Sequence, residues 1–170
     1  MLAALTAGIA AGGALAAVEL RTRGRRGRGT AGDSRLIARW ILEEPWKGSW
    51  DVLERHVSTA YVGQDLAESE SFLGPEGLRA RLERLVAAFP DGRVEIDHQI
   101  ADGPDVTTRW TLTGTQTGEL DGLAPSGKEV TVSGITISRL QGDLVVEEWT
   151  SWDRLGLLVQ LGAISEPAHA

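Results

Sequence analysis

The apolar pattern changes period near the middle of the chain. Up to Gly92 it is helical. Leu36, Ile37, Trp40 and Ile41 recur at i, i+1, i+4 and i+5, which predicts a helix through LIARWILEEP that stops before Pro45, with Asp33 or Ser34 as its cap. Val52, Leu53 and Val57 predict a second helix in WDVLERHV, capped by Ser49. AYVGQD reads as a short extended piece and LAESESFLGPEG as a loop. Leu78, Leu82, Leu85 and Val86 form the face of a third helix, with Pro75 suited to its first turn and the turn signal FPDG at its end.

Beyond Gly92 apolar and polar positions alternate, as along a strand. Arg93–Ala101 puts Val94, Ile96, His98 and Ile100 on one face. Val106–Gln116, Val130–Leu140 and Leu144–Asp153 follow, separated by turn-rich stretches. Consecutive strands joined by turns predict an antiparallel meander, and helices followed by strands predict an α+β fold. Gly114, Gly118 and Gly134 are candidates for the bulges or bends of a strongly curved sheet. Such a sheet wrapped on helices encloses an apolar interior suited to a small ligand.

The stretch LVVEEWTSWDRLGLLVQLG, Leu144 to Gly162, joins the last strand to a short segment with Leu155, Leu158 and Leu161 at helical spacing. Asp153 sits at the junction, among Trp149, Trp152 and leucines. Two readings stand side by side: a desolvated acid or base facing the interior, or the cap of the following helix. Six tryptophans against two phenylalanines and one tyrosine make flat apolar walls plausible. Trp40 and Trp110 read as core; of Trp149 and Trp152, one should line the interior and the other pack outside. Arg109 reads as a bridge to Glu147 or Glu148 on a neighbouring strand, and Glu147 as half of an external salt bridge.

Charge divides the chain. Residues 1–33 hold five arginines against Glu19 and Asp33, for +3, so the overall charge of -7 leaves -10 on residues 34–170. A body that acidic lacks the basic face that nucleic-acid binding needs. With no cysteine, disulfides and thiolate metal sites are excluded, and His56, His98 and His169 show no metal-ligand spacing. Leu2 to Leu20 is apolar apart from Glu19 and is followed by RTRGRRGRG. It reads either as a membrane anchor that keeps the following domain cytoplasmic or as a tail. The Arg/Gly block is a linker in both cases, which sets the domains at 1–33 and 34–165.

FPDGRVEI, RWTLTGTQTG, the GLAPSGK loop, Gly134–Arg139 and VVEEWTSWDRLGLLVQLG together resemble the SnoaL-like polyketide cyclase, or ester cyclase, family of the nuclear transport factor 2-like superfamily. The resemblance covers about residues 34–163. It implies an α+β cone, N-terminal helices packed into a curved antiparallel sheet, and a homodimer joined through the sheet's outer face, with Thr107, Thr111 and Thr131 as seam candidates. It also implies an acidic residue at Asp153 as the acid/base of an aldol-type ring closure that needs no cofactor and no metal. Where relatives carry histidines, this chain has Gln64 and Gln116, which hydrogen-bond without titrating near neutral pH. The resulting expectation is a cyclase- or isomerase-type enzyme on a hydrophobic, carbonyl-rich small molecule. Asp153, Gln116 and Gln64 are its catalytic candidates, and Trp149, Trp110, Tyr61, Phe89 and Leu158 line its pocket. The alternative is a non-catalytic binding module of the same fold.

Overall fold

The computed structural model describes residues 31–67 and 70–165. Helix α1, Ala31–Glu43, runs into a short 3-10 turn, Glu44–Lys47, where Pro45 occupies a first-turn position and ends the α-helix. Helix α2, Asp51–His56, follows; the residue at its cap is Trp50, with no side-chain cap bond, so the expected role of Ser49 is not realised. Strand β1, Val57–Asp65, is longer than predicted, and part of the expected loop is a short strand, β2, Glu70–Leu73. Helix α3, Gly74–Ala88, has Pro75 in its first turn as expected. Strands β3 Arg93–Asp102, β4 Asp105–Thr115, β5 Glu129–Gln141 and β6 Leu144–Trp152 precede helix α4, Arg154–Leu161.

The six strands form one sheet in the order β2-β1-β6-β5-β4-β3. From β3 to β6 it is the predicted antiparallel meander. The alternation of β4 and β5 is clean: Val106, Thr108, Trp110, Leu112, Val130, Val132, Thr136, Ser138 and Leu140 are buried on one face. The unpredicted feature is β1, which joins the sheet parallel to β6 and brings β2 with it. This pairing sets Tyr61 and Asp65 beside the last strand, far along the chain.

Two register shifts decide which side chains point inward. One lies in β3 between Ile96 and His98; beyond it Gln99 bonds Thr108 Oγ1 at 3.1 Å, while His98 and Ile100 are exposed. The predicted single face of Val94, Ile96, His98 and Ile100 is therefore broken by a bulge. The other shift lies where Arg139 pairs Glu147 and Leu140 pairs Val145, so that both Val145 and Glu148 are buried. Gly114, Gly118 and Gly134 are not the bulge residues; they are points of close approach. A Cβ on Gly134 would lie 2.3 Å from the Trp110 ring, and one on Gly118 2.1 Å from the Ala87 carbonyl oxygen.

The interior is packed as two clusters. One gathers Ile37, Ile41, Leu53, Tyr61, Leu78 and Leu82 with Val106 and Val145; the other gathers Phe89, Leu120, Val130, Val132, Leu157 and Leu161. Trp110 is core as expected, but Trp40 is 37% exposed and lies against the His56 ring, 5.7 Å between centroids. Among the described residues no helix is long and apolar enough to cross a membrane; the Leu2–Leu20 segment lies outside them.

Replacing Gly134 by Ala forces Trp110 off its seat beside Thr136. The expected cost is about 1–3 kcal/mol by urea unfolding; unchanged stability would show that the ring has room to move.

Candidate active site

A hollow separates the two core clusters. Ile41, Leu42, Leu78, Leu82, Leu85 and Phe89 line it from the helices, and Trp110, Leu112, Val132, Thr136, Glu148, Thr150 and Trp152 from the sheet. Its free volume is about 70 Å³. Most of its wall is hydrocarbon or aromatic ring, with polar groups confined to a few positions.

The principal polar group is Glu148. It is inward-facing on β6, flanked by β1 and β5, and 4% exposed. Tyr61 donates its hydroxyl to Oε2 at 2.8 Å, and Ser138 donates to Oε1 at 2.5 Å. Burial raises the carboxyl's proton affinity above the ordinary range; the two hydrogen bonds and the charge of Arg81 oppose that rise without cancelling it. The Tyr61 hydroxyl is also pushed well up, first by burial, then by the Glu148 charge and hydrogen bond. Beside this group Trp110 Nε1 donates to Thr136 Oγ1 at 3.0 Å, which lies 3.0 Å from Thr150 Oγ1.

A second buried group links α3 to the sheet. Asp65, at the end of β1, has a fully buried side chain paired with Arg81. It also accepts from Trp152 Nε1 at 2.9 Å and from the Ala67 amide at 2.9 Å. Arg81 lines the hollow and lies over the Phe72 ring, 5.3 Å to the centroid.

The expected site residues separate into those the structure brings together and those it does not. Trp110 and Phe89 line the hollow. Tyr61 stands behind Glu148 as its hydrogen-bond donor. Asp153 does not face the hollow. It is exposed, caps α4 by accepting from Gly156 N at 2.8 Å, and borders a shallow outer depression with Arg109, Ser133 and Ser151. Gly156 suits that cap, since a Cβ there would lie 2.1 Å from Asp153 Oδ2. Gln116 is completely buried, but its amide is spent on backbone: Nε2 donates to the carbonyls of Gly118 and Ala124, and Oε1 accepts from Ser126 N. It holds the β4–β5 loop in shape. Gln64 has the opposite parity to Tyr61 and Asp65 on β1 and is not part of the wall.

Trp149 is on the outer face, under Arg139 at 5.1 Å, and Trp152 takes the inner position. Leu157 lines the hollow, whereas Leu158 borders a separate groove with Leu120 and Ile164. Glu147 is indeed in an external salt bridge, with Arg139 at 3.1 Å. Arg109 pairs loosely with Asp97 at 3.7 Å rather than with β6. Sequence reasoning missed Glu148, Asp65, Arg81, Ser138, Thr136 and Thr150. The available signal was strand parity: Glu148 alternates with Thr150 and Trp152, and Tyr61 with Asp65.

A six-stranded curved sheet wrapped on helices around a hollow is the α+β cone of the nuclear transport factor 2-like class, which includes the ketosteroid isomerase fold. The chain belongs to the SnoaL-like polyketide cyclase family, whose model matches residues 36–161. Among solved structures it is similar to a candidate SnoaL-like polyketide cyclase from Jannaschia sp. CCS1, with 22% identity and a TM-score of 0.73 over 85% of this chain and 100% of that one. AclR, a candidate hydroxylase from Streptomyces galilaeus, is 23% identical with a TM-score of 0.71, over 82% and 87% of the two chains. A Catenulispora acidiphila DSM 44928 protein with a ketosteroid isomerase-like fold, solved with trimethylamine, is 19% identical with a TM-score of 0.62, over 75% and 92%. No curated protein matches the chain.

The buried carboxyl makes stability depend on pH. Because folding raises its proton affinity, the folded state holds the proton over a window where the unfolded chain has lost it. The stabilisation is fully present below the ordinary glutamate pKa, about 4.3, and is lost as pH rises through the higher folded value. Glu148→Gln removes this contribution. Its melting temperature relative to the parent should therefore rise between pH 4.5 and pH 8; a constant difference across that range contradicts the assignment.

Proposed function

We propose that this chain is a cyclase- or isomerase-type enzyme of its family, acting on a hydrophobic carbonyl-bearing small molecule, with Glu148 as its acid/base. One observation carries the reading. Glu148 is the ionisable carboxyl in the wall of the hollow, and its proton affinity is raised by burial. A carboxyl whose proton affinity is raised by burial is suited both to take and to return a proton. It accepts the proton from the carbon next to a carbonyl. The resulting enolate carbon forms a bond to a second carbonyl carbon, or is reprotonated elsewhere. The alkoxide of the first route, or the new carbon site of the second, takes the proton back. Tyr61 and Ser138 hold both carboxyl oxygens, which fixes the group's direction. The narrow apolar walls keep a flexible substrate folded and water out, which favours an intramolecular step.

The first expectation, Asp153 as the acid/base, is less well supported, because that carboxylate is wet and committed to the helix cap. A second functional reading, a binding module without turnover, is favoured by the satisfaction of Glu148, whose two oxygens both accept hydrogen bonds from the protein, from Tyr61 and Ser138.

Proton exchange at carbon 2 of a β-keto ester with an alkyl tail, followed by NMR in D2O, separates these readings. The wild type should exchange faster than buffer alone, and Glu148→Gln should lose about 10²-fold or more of that excess. Exchange no faster than buffer supports the binding module. Asp153→Asn should keep both rate and stability, since Asn caps as well as Asp, whereas Asp153→Ala should keep the rate and lose about 1 kcal/mol. A collapse of exchange in Asp153→Asn would return the acid/base role to that residue.

A further inference from the structure

The hollow is small for a ligand site. Its free volume of about 70 Å³ falls short of the roughly 300–1,000 Å³ usual for small-molecule pockets. Beside it, between α4 and the β4–β5 loop, runs the groove of Leu120, Leu123, Leu158, Ala163 and Ile164, with about 270 Å³ of its own. The two spaces share a wall made by Trp152 and Leu157, and together they reach the usual range. The two wall residues are not equivalent. Trp152 is held by its Nε1, which donates to Asp65 at 2.9 Å. The Leu157 side chain is held by packing alone and has other staggered rotamers open to it. The backbone beneath it stays in place. Gln160 exchanges two hydrogen bonds with the backbone of Thr131, both at 2.9 Å, and Lys128 Nζ donates to the Leu161 carbonyl at 3.1 Å. The far walls are fixed as well. Asp121 and Gly122, at φ 48° and 83°, close a two-residue turn in which Leu120 and Leu123 exchange backbone hydrogen bonds. Ile164 is set over the groove by the left-handed cap at Gly162, where the Ala163 amide donates to the Leu158 carbonyl at 2.9 Å.

We propose that the groove is the second compartment of the ligand site. It takes the hydrocarbon tail of an elongated apolar molecule whose head lies in the hollow, and Leu157 is the partition that turns aside to let the tail through. The lining fits a tail and little else. Its side chains are leucine, alanine and isoleucine, and the charged groups at its rim, Asp121 and Arg154, face each other at 3.7 Å. A tail that lies along it removes apolar surface from water on both sides, which offsets the turn of one leucine. The site thereby favours an extended chain over a compact ring of the same polarity, since a compact molecule meets the hollow alone. The proposal rests on the hollow being a ligand site and not on Glu148 doing chemistry.

Trp46, Trp110 and Trp152 line the hollow and report on its occupancy through their fluorescence. The full chain is titrated with 1-hexanol and 1-decanol. Each added methylene that finds an apolar wall tightens binding about fourfold, so the Kd of decanol should lie at least about thirtyfold below that of hexanol. Ile164, 42% exposed at the groove, can be replaced without disturbing the core. Ile164→Glu should erase the decanol gain and leave hexanol unchanged. Leu157→Ala removes the partition and should tighten decanol more than hexanol. A smaller gain in the wild type overturns the proposal, as does a gain that survives Ile164→Glu. An equal change of both alcohols in Leu157→Ala overturns the partition; if that variant fails to fold, Ile164→Glu decides. A gain that appears only after removal of residues 166–170, or only on dilution of the protein, shows the groove filled by this chain's own end or by a second copy, and overturns it too. No response to either alcohol overturns the hollow as a ligand site, whereas a hexanol response without the decanol gain overturns the second compartment alone.

Discussion

A carboxyl buried among tryptophan and leucine is tolerated only if its oxygens are met, and that constraint organises the cone. Glu148 needs donors from two other strands, Tyr61 of β1 and Ser138 of β5, so β6 must lie between them. The parallel β1–β6 pairing that provides Tyr61 also places Asp65 within reach of Trp152 and Arg81. The last strand is thereby tied on one side to the meander and on the other to helix α3. Burying these groups costs more than burying hydrocarbon of the same volume. Of these groups Glu148 and Arg81 border the hollow, whereas Tyr61 belongs to the first packed cluster.

The hollow exists because the two apolar clusters do not meet. Ile41, Leu78 and Leu82 face Phe89, Val132 and Leu157 across it, and Trp110 spans part of the gap. Gly134 makes that ring position possible by giving up a side chain beneath it. Gln116 serves the same architecture at a distance. Its amide fastens the loop that presents Leu120 and Leu123 to the second cluster. A polar residue held this tightly by backbone groups is a fastener, although its burial alone resembles that of a site residue.

Much of the fold was legible because its signals are local. The period change at Gly92, Pro45, Pro75 and the clean alternation of β4 and β5 each report on neighbouring residues only. The β1–β6 pairing joins residues more than eighty apart and left no local mark. The site was harder for a related reason. In VVEEWTSWD both faces of the strand carry an acid and a tryptophan, Glu147 with Trp149 and Glu148 with Trp152. Parity sorts them into two sets, but which set faces inward depends on how the sheet curves and on the bulge beside Val145. Choosing the set with Trp149 and Asp153 put the acid outside, whereas Trp110 and Phe89, from segments with one apolar face, do border the hollow, and Tyr61 stands behind Glu148. His98 and Ile100 were misplaced by a bulge of the same kind in β3.

The central claim is that burial lets the carboxyl of Glu148 hold its proton to higher pH than a solvent-exposed glutamate does. It is tested most directly by carbon-13 NMR titration of side-chain carboxyls in labelled protein, with the Glu148 resonance assigned by its absence from Glu148→Gln. The account predicts a midpoint clearly above that of the exposed glutamates. A resonance that titrates with them, near pH 4.3, or below them would contradict it.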